Sequence, residues 1–246
     1  MGTATLAVAL HDPEGRTVAG VARAREALAR AFPSVVLNAT TDTHRSVLDA
    51  FSSFGDAEVL LHPADEDRIG QVRRDAVGLA FERGAQQVLY SDGDHILRWI
   101  EARPDEVAAV LDDPVDDLTI VGRSPEALAA APRRLHDTET VVNHIYGLMR
   151  PGRAWDLMFA VRRLNRAAGD VVVGRCRAST VANDVEWPLA VEEAGLAVGY
   201  VAADGLSYRT IGDFDRGRDR HDDDPEAWIR RVEIAADHVG AMRRYL

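Results

Sequence analysis

The amino-acid sequence predicts an α/β fold, with a mostly parallel central sheet covered by helices on both faces. Two observations carry that expectation. Apolar runs of strand length alternate with amphipathic stretches of helix length as far as Asp92, and turn residues punctuate the alternation. The composition, 46% hydrophobic and 28% charged, supports a packed core and argues against disorder.

Taken in order, Leu6 to Leu10 reads as a buried strand, followed by the turn-rich His11 to Gly15. Val18 to Ala31 has helical spacing of its apolar residues and stops before Pro33. Ser34 to Asn38 is a strand, Thr43 to Phe54 a helix, and Glu58 to His62 a third strand. Ile69 to Arg83 is a long helix with Gly84 as its C-terminal cap, and Gln87 to Tyr90 is a fourth strand. Short helices are expected from Ile96 to Ala102, Pro104 to Leu111 and Pro125 to Ala131, with a strand from Leu118 to Val121. Further on, helices are expected over Thr138 to Met149, Leu157 to Ala168, Trp187 to Ala194 and Glu226 to Tyr245. Strands are expected over Asp170 to Arg175 and Leu196 to Val201, and Asp213 to Pro225 gives the weakest core signal. No repeat or long linker divides the chain, so 1–246 reads as a single α/β domain, with halves at 1–122 and 123–246.

Composition excludes several functions. A net charge of −11 leaves no general basic face for nucleic acid, so no nucleic-acid partner is expected. All 29 basic residues are arginine, which rules out a Schiff-base or P-loop lysine. Phosphate would be met by arginine, backbone N–H groups or metal. Cys176 is the only cysteine, so an intrachain disulfide and a cysteine metal cluster are both excluded. That fits a reducing, cytoplasmic setting. No signal peptide is visible, and no apolar run approaches the ~20 residues of a transmembrane segment.

In parallel sheets, sites gather beyond the carboxyl ends of strands. Asp12, Asp42, Asp92 and Asp94 all fall at such ends. Asp92 and Asp94 flank Gly93, and alternation in an extended segment would point both carboxylates the same way. Hard cations such as Mn²⁺ or Mg²⁺ take carboxylate oxygens and keep substrate phosphates and water. The bland alternative is a solvated loop with two surface aspartates.

The stretch Arg68 to Arg98 resembles the middle of a family-two-like glycosyltransferase of the A-type fold, a superfamily that uses nucleotide sugars. Gly70, Arg73, Arg74, Asp75 and Gly78 lie on a helix, and the next strand runs into Ser91-Asp92-Gly93-Asp94. Asp75 stands where that superfamily more often has asparagine. The resemblance implies a nucleotide-diphospho-sugar transferase fold with a nucleotide-sugar-binding first half and an acceptor-side second half. It places Asp12 and Asp42 on nucleotide-contacting loops, Arg74 beside the diphosphate or the Asp92 loop, Asp92 near the ribose or the metal, and Asp94 on the metal. It implies a general base at Asp184 or Glu186 in an inverting transfer, and His221 as a late metal ligand on a lid. Read as residues alone, Asp184 and Glu186 fit equally a helix cap and a first-turn carboxylate, and His221 a solvated loop. Arg123, after a strand, is a candidate for a phosphate or carboxylate, or for a rim salt bridge.

The leading expectation is metal-dependent transfer of a sugar from a nucleoside diphosphate sugar to a hydroxyl of a small-molecule or glycan acceptor, with Mn²⁺ or Mg²⁺ as cofactor. A non-catalytic metal- or nucleotide-binding or interaction protein on the same fold, and a nucleotidyltransferase, are the alternatives. A homo-oligomer is left open.

Overall fold

The first half of the chain folds as its periodicity predicts. The computed structural model describes residues 4–112, 115–207 and 220–246. It begins with β1 (Ala4–Leu10), α1 (Val18–Ala31), β2 (Ser34–Thr40), α2 (Arg45–Ser52), β3 (Asp56–His62), α3 (Ile69–Glu82) and β4 (Gln87–Asp92). Along β1, Ala7 and Ala9 join one core while Leu6, Val8 and Leu10 join the other. That is the period of two expected of a strand covered on both faces. Gly84, at φ +93°, follows α3 in the left-handed conformation that ends a helix.

Next come α4 (Gly93–Ala102), α5 (Pro104–Asp112), β5 (Leu118–Arg123), α6 (Pro125–Ala129) and α7 (Arg133–Met149). The chain continues through β6 (Val161–Asn165), α8 (Arg166–Arg175), α9 (Asn183–Glu193), β7 (Val198–Ala203) and α10 (Pro225–Met242). The sheet order is β3-β2-β1-β4-β6-β5-β7, and β6 runs antiparallel to both its neighbours. One core packs α3 and α7 to α10 against the sheet; the other packs α1, α2, α4 and α5. The charged stretch expected from Asp213 lies outside the described residues as far as Asp219, and a short 3-10 turn, Arg220–Asp223, leads into α10.

Two expectations in the second half are corrected. The helix expected over Leu157 to Ala168 contains β6, a central strand carrying adjacent buried arginines. The Arg162 guanidinium donates to the carbonyls of Leu157, Phe159, Val161 and Asp184, and that of Arg163 to Thr119 Oγ1 and the Asp116 carbonyl. Burial pulls the Arg162 pKa below its ordinary value. The strand expected over Asp170 to Arg175 is helix α8, because the Asn165 side chain accepts from the Ala168 N–H at 3.0 Å and caps a helix as soon as β6 ends. The β-branched run Val171 to Val173 is overridden by packing of Val171 and Val172 into the core.

Gly169 fixes how closely α8 approaches α3, since an added Cβ there would overlap the Phe81 ring. Gly169→Ala is therefore expected to destabilise the fold by about 1–3 kcal/mol through overpacking, read as a lower urea midpoint at unchanged m-value.

Candidate functional site

The carboxyl ends of β1, β2, β3 and β4 open onto a cleft of about 690 Å³. His11, Thr40 and His62 line it from the first three strands, and Asp65 and Asp67 from the loop after β3. Asp92, Gly93 and Asp94 line it from the β4–α4 junction, Thr180 and Val181 from the loop before α9. Arg230, Glu233, Ile234 and Asp237 of α10 also line it.

Asp92 is held from behind. Its Oδ2 accepts from Arg73 Nη2 at 2.7 Å, and its Oδ1 accepts from the Tyr90 hydroxyl. Burial, with the Asp92 charge, pushes the Tyr90 pKa well above the ordinary value, so this hydroxyl remains a donor. Arg73 is buried, and its Nη1 donates to Asn183 Oδ1 and Asp184 Oδ1, each at 3.0 Å. Burial opposes its charge, but Asp92, Tyr90 and Asp184 outweigh that and raise its pKa well above the ordinary value.

Asp94 is arranged differently from the extended geometry expected of it. The chain turns helical at Gly93, so Asp94 sits in the first turn of α4, where a carboxylate suits the positive end of the helix. Both aspartates nevertheless line the same cleft. The intervening glycine packs closely, since an added Cβ would come within 2.7 Å of Leu10 Cδ1 and that side chain would have to shift. Asp94 Oδ1 lies 3.9 Å from His95 Nε2, and the His95 ring stacks on Phe159 with centroids 4.0 Å apart.

Asp92 and Asp94 both offer the cleft carboxylate oxygens, the ligand type that a hard divalent cation takes. Each ionised carboxylate has about four lone-pair sites, so Asp92 keeps acceptor capacity beyond its two bonds. The donor set is oxygen only, which suits Mn²⁺ or Mg²⁺ with the remaining positions filled by ligand phosphates and water. Among the described residues no group of three or more His, Cys, Asp or Glu side chains could hold a metal by itself.

The other expected site residues are placed elsewhere. Asp12 is buried, accepting from the Arg16 and Thr17 N–H groups and the Thr17 hydroxyl, and it organises the start of α1. Burial opposes its ionisation, but those donors lower its pKa. Its neighbour His11 faces the cleft instead. Asp42 is exposed and outside the lining, whereas Thr40 is within it. Arg74 turns to the Ala178 carbonyl, and the arginine that reaches Asp92 is Arg73. One residue along a helix rotates a side chain by about 100°, so the two cannot share a direction.

Arg123 is buried in a clamp, bonding Asp156 through Nε at 2.7 Å and through its backbone N–H, and also Glu139. It is not among the residues lining the cleft. His221 lies exposed in the 3-10 turn, outside the cleft lining, while its neighbour Asp222 accepts from the Arg133 and Arg134 N–H groups at the start of α7. This placement gives no support to the metal-ligand role expected of His221.

Asp184 and Glu186, the expected general-base candidates, are turned inward. Helix α9 starts at Asn183, with Pro188 inside it, so Asp184 and Glu186 lie in its buried first turn. Both oxygens of Glu186 accept from the Arg177 N–H, and Oε2 also accepts from the Ala178 N–H at 2.8 Å. Asp184 faces Arg73, and His238 Nε2 approaches it at 3.7 Å. Burial opposes its ionisation, but Arg73, His238 and Arg162 hold its pKa down at about 2. Neither carboxylate is among the residues lining the cleft.

No known family profile matches the chain, and neither does any curated protein. Solved structures of glucosyl-3-phosphoglycerate synthase from Mycobacterium tuberculosis do match. The structure with uridine diphosphate (UDP) has a TM-score of 0.59 at 14% identity, over 99% of this chain and 80% of that one. One with Mn²⁺, UDP-glucose and phosphoglyceric acid has a TM-score of 0.59 at 14% identity, over 98% and 79%. One with Mg²⁺ and UDP gives 0.57 at 13%, over 96% and 78%. At such identities the likeness shows the fold, which is the A-type glycosyltransferase fold. Among the described residues, no helix is long and apolar enough to cross a membrane.

A depressed carboxylate pKa contributes stability that is present above the unfolded value and lost as pH falls toward the folded one. For Asp184 that window runs from the ordinary aspartate value of 3.8 down to about 2. Asp184→Asn is expected to cost on the order of 2 kcal/mol at pH 7 and to flatten the loss of stability across this window, measured by denaturant unfolding at several pH values.

Proposed function

We propose that this chain, built on the A-type glycosyltransferase fold, transfers a sugar from a nucleoside diphosphate sugar to an acceptor hydroxyl with the help of Mn²⁺ or Mg²⁺. The observation that carries the reading is the pair Asp92 and Asp94 at the mouth of the β4–α4 junction, one braced by Arg73 and Tyr90 and both lining the cleft. The oxygen-only donor set and the fold shared with enzymes solved with UDP and Mn²⁺ or Mg²⁺ support it.

In this reading Asp92 and Asp94 hold the cation, whose charge would stabilise the negative charge growing on the leaving diphosphate. Arg73 keeps Asp92 in place and itself remains below the cleft. His11 and Thr40, joined by a 2.7 Å hydrogen bond between Nδ1 and Oγ1, form the part of the rim that meets the nucleoside. With Asp184 and Glu186 turned inward, an inverting route through a base at either position loses its support.

UDP and UDP-glucose are the first donors to try. Mn²⁺ together with UDP should raise the thermal midpoint of the native chain by mass action, and more than either alone. Asp94→Ala should abolish the metal-dependent part while leaving the midpoint of the unliganded protein within about 2 °C, a surface-type change of ~0.5 kcal/mol. Equal UDP affinity in both proteins, with and without metal, would sink the assignment. Glu186→Gln should lower the unliganded midpoint but keep UDP binding.

A further inference from the structure

One wall of the cleft belongs to α10. Arg230, Glu233, Ile234 and Asp237 fall at i, i+3, i+4 and i+7, so a single stripe of the helix faces the cavity. The helix is fixed in rotation from its other side. Ala235, His238, Ala241 and Met242 are buried, His238 Nε2 lies 3.7 Å from Asp184 Oδ2, and Arg231 Nη2 donates to Glu139 at 2.6 Å.

The charge of the cavity is one-sided. Among the described residues its lining carries Asp65, Asp67, Asp92, Asp94, Glu233 and Asp237 against the guanidinium of Arg230. A divalent cation at Asp92 and Asp94 would neutralise that pair alone. Carboxylates are acceptors only, and they ask for O–H or N–H donors on the ligand. A phosphate- or carboxylate-bearing acceptor would meet like charge at the α10 wall. The enzyme sharing this fold was solved with phosphoglyceric acid, an anion.

Resting on the transferase reading, we infer that the acceptor is a polyol without negative charge, a neutral sugar or an amino sugar, whose hydroxyl or ammonium hydrogens are accepted by Glu233 and Asp237. Both side chains are exposed to the cleft, so substituting them leaves the core intact.

The test is calorimetric titration of the whole chain, first with Mn²⁺–UDP and then, on the loaded protein, with D-glucosamine, methyl glucoside and 3-phosphoglycerate separately. Saturable binding of glucosamine or the glucoside is expected, at least tenfold tighter than phosphoglycerate. The double variant Glu233→Gln, Asp237→Asn should weaken that binding at least tenfold with the Mn²⁺–UDP affinity kept. Phosphoglycerate binding as tightly as the sugars, no sugar binding at all, or sugar binding indifferent to the double substitution would each overturn the inference. Absence of Mn²⁺–UDP binding would instead overturn the transferase reading, and the inference with it.

Discussion

The buried guanidinium of Arg73 is the tie on which the cleft depends. It reaches from α3 to Asp92 at the end of β4 and to Asn183 and Asp184 at the start of α9. Three elements far apart in sequence thus share one cation. Away from water such a pair is strong only if its hydrogen bonds are made, and removing the cation would strand two carboxylates. The same tie extends through Asp184 to His238, and so to the helix that forms the far wall. Gly70 supports it from the start of α3: its N–H donates to the Ser179 carbonyl at 2.6 Å, and a side chain there would collide with residues 178–180.

Buried arginine recurs as a building material. Arg123 joins β5 to Asp156 and to Glu139 on α7, and Glu139 in turn accepts from Arg231 of α10. Arg162 ties β6 to the Leu157 carbonyl and to that of Asp184 in α9, and Arg163 ties it to the Asp116 carbonyl ahead of β5. The planar guanidinium, with five donors in fixed directions, can satisfy several carbonyls at once, which an ammonium on a flexible stem does less well. A chain without lysine uses that geometry throughout its interior.

The β–α alternation through Asp92 was legible because each strand there is an apolar run and each helix an apolar stripe, signals that burial imposes directly. Val161 to Asn165 was not, because its arginines are buried through hydrogen bonds to carbonyls that periodicity cannot register. In the site, the Asp92 and Asp94 positions followed from their place after a strand. The inward turn of Asp184 and Glu186 did not, since an acidic residue in a sequence reads the same whether it faces solvent or a buried cation. Arg73 and Arg74 are adjacent, and only helix rotation separates the one that braces Asp92 from the one that meets a carbonyl. A terminal helix was legible, but nothing local to residues 230–237 announces that it packs on α7 and α9 with one stripe lining the cleft.

The all-arginine composition also bears on alkaline conditions. A lysine ammonium gives up its proton near pH 10.4, while guanidinium keeps its charge beyond pH 12. The bridges around Asp92, Asp156 and Glu139 therefore persist where lysine-based ones would dissolve. Burial and the Glu186 charge push the Cys176 thiol up to about 12, so it too keeps its proton in mildly alkaline solution. On the basic side, the scaffold behind the cleft is built to outlast the chemistry of most of its surroundings.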